Sequence, residues 1–140
     1  MNSNSKKRKL GIVAKSWDIS SLADLCSPPQ NGLYRSGMIY GRGHRMVHMQ
    51  SLFAHRIISG QDMQRVDVTT DELNKFGLAP GDLLFGRRSL ALDGVGKASI
   101  VGELDEPITF ESSILRLRTD PKRLNPYFAL AFLDSFIGRK

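Results

Sequence analysis

Glycine and proline set the first limit on this fold. Between Ser27 and Gly43 stand Pro28, Pro29, Gly32, Gly37, Gly41 and Gly43. Proline fixes φ and removes an amide donor, and glycine weakens helix and strand interiors alike. The stretch 27–43 therefore reads as one long loop, with a turn at Asn31-Gly32. A second glycine-bearing loop spans 86–96, with Gly86, Gly94 and Gly96. Long irregular loops inside a folded chain are usually functional or disordered. Both of these carry arginine, and the first carries Tyr34 and Tyr40, which favours function.

The elements between the loops must be short. Trp17 and Ile19 alternate with polar residues and predict a short strand. Ser20 or Ser21 then caps a helical turn that turns Leu22, Ala23 and Leu25 inward. Residues 45–49 read as a strand. Residues 70–77 read as a helix, with Thr70 as N-cap, acidic Asp71 and Glu72 in the first turn, and Gly77 as C-cap. Ala79-Pro80-Gly81-Asp82 makes a turn into an apolar strand, Leu83 to Phe85. Further strands are expected over 97–102 and 108–118. The clearest helix is the last, with Asn125 as cap, Pro126 in the first turn, and Leu130, Leu133, Phe136 and Ile137 at helical spacing. Trp17, Phe85, Phe110 and Phe132 are expected in the core.

This pattern predicts a mixed α/β (α+β) chain. It would be a single globular domain with a twisted, mostly antiparallel sheet, short helices, long loops and a C-terminal helix. The 140 residues suit one domain and can bury about two thirds of the unfolded surface. Residues 1–15 are expected to be a flexible basic arm, and 16–140 the folded domain.

Charge is distributed unevenly. The formal net charge is +6. Lys6, Lys7, Arg8 and Lys9 are contiguous, and 32–65 carry Arg35, Arg42, Arg45, Arg56 and Arg65 against Asp62 alone. Residues 66–82 reverse the sign, with Asp67, Asp71, Glu72 and Asp82 against Lys75. A basic block in a folded segment suggests a polyanion, most often nucleic acid; a solubilising surface is the plain alternative. Cys26, the lone cysteine, allows no internal disulfide and no cysteine-rich zinc site. Its apolar neighbours suggest an inert thiol in a reducing compartment. With no 18-residue apolar run and no secretory leader, a cytoplasmic protein without a membrane partner is expected.

No catalytic constellation emerges. Gly94-Val95-Gly96-Lys97 echoes a phosphate-binding loop, but Ala91 and Ala98 stand where that motif needs glycine and a hydroxyl residue. His44 and His48 are four apart in a strand pattern, which separates them by about 13 Å. Contacts to backbone or DNA suit both better than a metal. Asn125-Pro126-Tyr127-Phe128 is a helix cap rather than an adenine-methyltransferase motif, since it lacks the second proline. No Glu-x-Lys occurs. Neither an enzyme activity nor a cofactor is expected.

The order of the motifs resembles a target recognition domain of the specificity subunit of type I restriction–modification systems. Trp17 to Leu25 resembles that family's opening Trp-x-x-x-x-Leu-x-Asp-Leu, followed by Asn31-Gly32. Leu78 to Phe85 resembles its Leu-x-x-Gly-Asp-Ile/Leu-Leu segment, and Gly96 to Val101 the strand after it. Phe110 to Arg118, Asn125 to Phe128 and Phe132 to Ser135 resemble the domain's end. The similarity covers about 16–138. It implies a non-catalytic module that reads one half of a bipartite site on double-stranded DNA. The partners it implies are a methyltransferase subunit and, through it, the restriction subunit. A full subunit of this family has two such domains joined by long helices. With one domain, this chain would act as an excised half, as a homodimer or with a partner.

Arginine and lysine on loops supply phosphate contacts, and arginine, asparagine and glutamine can read base edges. The first loop offers Asn31, Arg35 and Arg42, with His44 and Arg45 beside it; the second offers Arg87, Arg88 and Ser89, with Lys97 just beyond. Tyr34 and Tyr40 would pack on sugar or bases, or within the fold. The alternative is an adaptor or decoy that docks on a methyltransferase through an exposed face formed by Phe128, Phe132 and Phe136. An RNA-binding domain is a further alternative.

Overall fold

The structure, a computed structural model, describes residues 14, 16–36, 40–87 and 97–135. Along the chain run α1 (Leu22–Leu25), β1 (Gln30–Asn31), β2 (Tyr40–Val47), α2 (Met49–Ala54), β3 (Ile57–Ile58), β4 (Arg65–Val66), α3 (Thr70–Phe76), β5 (Leu83–Gly86), β6 (Ala98–Val101), β7 (Thr109–Phe110), β8 (Ile114–Leu117) and α4 (Pro126–Asp134).

The strands form two sheets rather than the expected one. The larger has the order β1-β8-β5-β6-β3, and the smaller β4-β2-β7. Most neighbours are antiparallel, but β3–β6 and β2–β7 are parallel. The stretch 108–118 is the hinge between sheets. The Glu111 bridge and the turn after it break it, so β7 joins the small sheet and β8 the large one.

Leu83 and Leu84 are both fully buried, although successive strand residues face opposite ways. The large sheet is therefore covered on both faces. Leu83 packs with Ile100, Ala98 and the inward side of α4, Ala129 and Leu130. Leu84 joins Val47, Leu52, Ile58, Val101, Ile108, Phe110 and Ile114 in the main core. Burying each such side chain contributes about 1.5–3 kcal/mol. A third cluster, Leu33, Met46 and Val66, backs the small sheet.

Helix ends follow local chemistry. Ser21 caps α1 by accepting from the Asp24 amide, yet Ala23 is exposed and no α1 residue is fully buried. α3 begins one residue earlier than expected. Thr69 is its N-cap, and Thr69 and Glu72 form a reciprocal capping box. Asn125 caps α4 as anticipated, accepting from the Tyr127 and Phe128 amides. That helix is described to Asp134; Phe136 and Ile137 lie outside the described residues.

Several expectations are corrected. Trp17 and Ile19 form no strand, and Trp17 is 69% exposed, because among the described residues no element covers that segment. Phe132 is 40% exposed rather than in the core, which α4 enters through Ala129 and Leu130. Phe110 is fully buried and Phe85 partly so, as expected. The first glycine-rich stretch is not all loop. Asn31 lies in β1, and Arg42 in β2, which also contains Gly41 and Gly43. Its glycines adopt positive φ at an irregularity in the ladder rather than ending the strand. Residues 45–49 split, because β2 ends at Val47 and His48 is the N-cap of α2. Among the described residues, no helix is long and apolar enough to cross a membrane.

Candidate nucleic-acid interface

The candidate residues fall into two groups. The first gathers where β1 and β5 finish and β6 and β8 begin. Gly32 N donates to Ile114 O, Arg87 N to Ser113 O, and Gly86 N to Lys97 O. Exposed Asn31, Arg87 and Lys97 therefore share one end of the large sheet. Lys97 Nζ donates to Phe53 O at 2.8 Å and lies 5.5 Å from the centre of the Phe53 ring. Arg88 and Ser89 lie outside the described residues. Phe53 was not anticipated; its only sequence signal is a lone aromatic in Met49–Ala54, a helix that the periodicity did not reveal.

The second group decorates the small sheet. Arg42, His44 and Arg45 lie on β2, with His44 and Arg45 in register with Val66 and Arg65 of β4. Most of its cations meet carboxylates. Arg45 reaches Asp105 Oδ1 at 2.8 Å and Oδ2 at 3.3 Å, and its side chain is only 15% exposed. The Asp105 hydrogen bond raises the Arg45 guanidinium further and holds the Asp105 carboxyl below its ordinary range. Arg65, which the sequence reading did not single out, donates to Gly43 O at 2.8 Å. Glu106 Oε1 lies 2.9 Å from Arg65 Nη1 and 3.4 Å from Arg45 Nε, and Glu106 Oε2 accepts from Arg65 Nη2 at 3.3 Å. His44 Nδ1 sits 3.1 Å from Pro107 O, and His48 Nδ1 3.0 Å from Met46 O. Both histidines thus make backbone contacts.

Arg35 pairs with Glu72 at the start of α3 and is 19% exposed. This contact, then the Thr69 amide, holds the Glu72 carboxyl below its usual range. Tyr34 beside it is 75% exposed, so it is not packed within the fold. Tyr40 opens β2. Arg42 differs from its neighbours: its side chain is 88% exposed, and Asp67 touches only Nε, at 3.3 Å.

The two groups are joined through Leu33, which bridges to Glu111 and donates to Phe110 O at the junction of the sheets. Cys26 is partly buried, and burial pushes its thiol up, away from a reactive thiolate. Among the described residues, no cluster of three or more His, Cys, Asp or Glu could hold a metal ion.

No family model matches the chain. It is 23% identical over 133 residues to a chain described as the type I restriction enzyme MjaX specificity subunit of Methanocaldococcus jannaschii. That alignment takes in 95% of this chain but 31% of the relative. Two solved structures share the fold. One comes from work on complex assembly and conformational transition of the type I R-M system, with a TM-score of 0.63, 16% identity, 88% of this chain and 28% of that one. The other is the HsdS subunit from Thermoanaerobacter tengcongensis, with a TM-score of 0.62, 15% identity, 92% of this chain and 30% of that one. The resemblance read from the motif order is borne out. The chain spans about a third of the length of the specificity subunits it resembles.

Proposed function

We propose that residues 16–140 form a target recognition module that reads sequence in double-stranded DNA, and that residues 1–15 are a basic arm lying near phosphates. The module directs a type I restriction–modification methyltransferase, and through it the restriction subunit, to one half of a bipartite site. It carries no catalysis of its own. The observation that supports this most is the likeness to specificity subunits over nearly the whole chain. Exposed Arg87 and Lys97 supply cations to a phosphate backbone, and exposed Arg42 can reach a base edge. Asn31 and Tyr34, also exposed, can meet bases or sugars. Arg35 and Arg45 serve chiefly to hold the surface in shape, since carboxylates already claim them. A homodimer would place two such modules on the two halves of one site.

The test is selection from a randomised duplex pool at two salt concentrations. Enrichment of a motif of about three to five base pairs supports the reading. Binding without enrichment, falling with a slope of about −0.9 per phosphate contact, leaves only a nonspecific basic surface.

One observation favours a second reading, docking on a methyltransferase subunit. The outer side of α4 exposes Tyr127 at 53%, Phe128 at 65% and Phe132 at 40%, with the last two rings stacked 6.5 Å apart. A complex that forms without DNA and survives high salt would favour it.

A further inference from the structure

The small sheet contains a feature that charge alone does not require. Tyr40 and His44 both fall opposite Val66. The three residues between them, Gly41-Arg42-Gly43, therefore have no register partner on β4 and bulge out of the ladder. Both glycines have positive φ, 125° and 92°. L side chains rarely adopt that conformation, so the bulge is built for glycine. At Gly43 the space is also closed: a Cβ there would lie 2.4 Å from Val66 O and 2.9 Å from Asp67 Cα. Bulges of this kind re-aim a side chain.

The side chain that is re-aimed is Arg42, and two neighbours set its base. Arg65 donates to Gly43 O at 2.8 Å and ties the bulge to β4. Asp67 Oδ2 accepts from Arg42 Nε at 3.3 Å. Among the described residues, only Nε of Arg42 has a partner, so both terminal Nη groups remain open. A guanidinium buttressed through Nε offers two parallel N–H donors, which match the O6 and N7 acceptors of guanine in the major groove. Arg35 and Arg45 have no such freedom, since the Tyr34 carbonyl and Glu72 hold the Nη groups of Arg35 and Asp105 holds those of Arg45.

We propose that Arg42, lifted by the Gly41–Gly43 bulge and aligned by Asp67, is the residue that reads a guanine, with Arg65 as the positioning residue beneath it. The proposal rests on the recognition reading above and names one of its specificity determinants.

The test repeats the duplex selection with the wild-type chain, Arg42→Ala and Arg42→Lys, with a thermal melt of each. The wild type should enrich a motif containing one strongly preferred guanine. Arg42→Ala should erase preference at that position alone, lowering discrimination roughly five- to a hundredfold, with the other positions and the melt unchanged. Arg42→Lys keeps the charge without the planar fork, so it should keep the salt slope and lose most of the preference. It carries the comparison alone if Arg42→Ala melts early. A uniform loss across all sequences, with the slope reduced by about one, would make Arg42 a phosphate contact and overturn the proposal while sequence reading stands. An unchanged motif in both variants would overturn it too. A wild-type chain that enriches nothing removes the recognition reading, and this assignment with it.

Discussion

Arg118 holds Asp82 with two hydrogen bonds, Nε to Oδ1 at 2.7 Å and Nη2 to Oδ2 at 2.8 Å. Asp82 is 1% exposed, and its Oδ2 also accepts from the Ala79 amide at 2.8 Å. Gly81 before it has φ +90°, which lets the chain turn sharply into β5. The Pro80-Gly81-Asp82 motif is thus the anchor of a turn. The hydrogen bond to Asp82 raises the Arg118 guanidinium further above its already high value.

Removing one member of such a pair strands the other. Arg118→Ala leaves a buried carboxylate with one amide partner, and should cost about 2–3 kcal/mol, discounted because Arg118 is itself part-exposed. Arg56→Ala breaks a pair whose arginine is 58% exposed and should cost about 1 kcal/mol or less. Urea unfolding of both variants decides this. Equal losses would deny Asp82 its anchoring role.

Gly32→Ala should be among the most damaging single substitutions. A Cβ there would sit 2.0 Å from Glu111 O and 2.5 Å from Phe110 O, both backbone atoms with no room to yield. The expected loss is about 3 kcal/mol or more, seen as a large drop in the thermal midpoint or as insoluble expression. A near-wild-type melt would mean that β1 can move away from the sheet junction.

What was legible in the sequence was local. Asn125-Pro126, the acidic first turn after Thr69, and Pro80-Gly81-Asp82 each state their chemistry within four residues. The two-residue strands β1, β3, β4 and β7 are too short to show a period. The parallel pairing of Met46 with Thr109 joins segments far apart in the chain, which no local pattern announces. The same limit hid the ion pairs. Arg35 and Arg45 looked like free loop cations because Glu72, Asp105 and Glu106 fold back on them from elsewhere in sequence. Asn31-Gly32 reads as a turn in the sequence because glycine often makes one; here glycine is needed for close backbone approach.

Acid should weaken the fold through Glu72. Its folded value is depressed, so its contribution is fully present above the unfolded value near about 4.3 and is lost as pH falls through the folded one. Glu72→Gln retains a side-chain acceptor for the capping box and removes the charge facing Arg35. Unfolding free energy should fall between about pH 5 and pH 3 in the wild type and fall less steeply in Glu72→Gln. Some slope should persist, because Arg45 depresses Asp105 in the same direction. Superimposable pH profiles would show that the Arg35–Glu72 pair adds nothing.

Arginines that look alike in the sequence should separate in a binding assay. Arg45 is held by Asp105 and Glu106 and lies opposite Arg65 across the strands. Arg45→Ala leaves Glu106 to Arg65 alone and takes the arginine from Asp105, so its main effect should be a lower melting temperature, with duplex affinity near wild type. Arg87 is exposed, just past the end of β5, and among the described residues only its backbone is tied down, through Ser113 O. Arg87→Ala should leave the melt unchanged, weaken duplex binding about three- to tenfold at low salt, and reduce the salt slope by about 0.9. Fluorescence anisotropy on one duplex across a salt series, paired with calorimetry, reads both effects. The reverse pattern, with Arg45→Ala losing affinity and Arg87→Ala losing stability, would move the DNA-facing surface from the end of the large sheet to the ion-paired side of the small one.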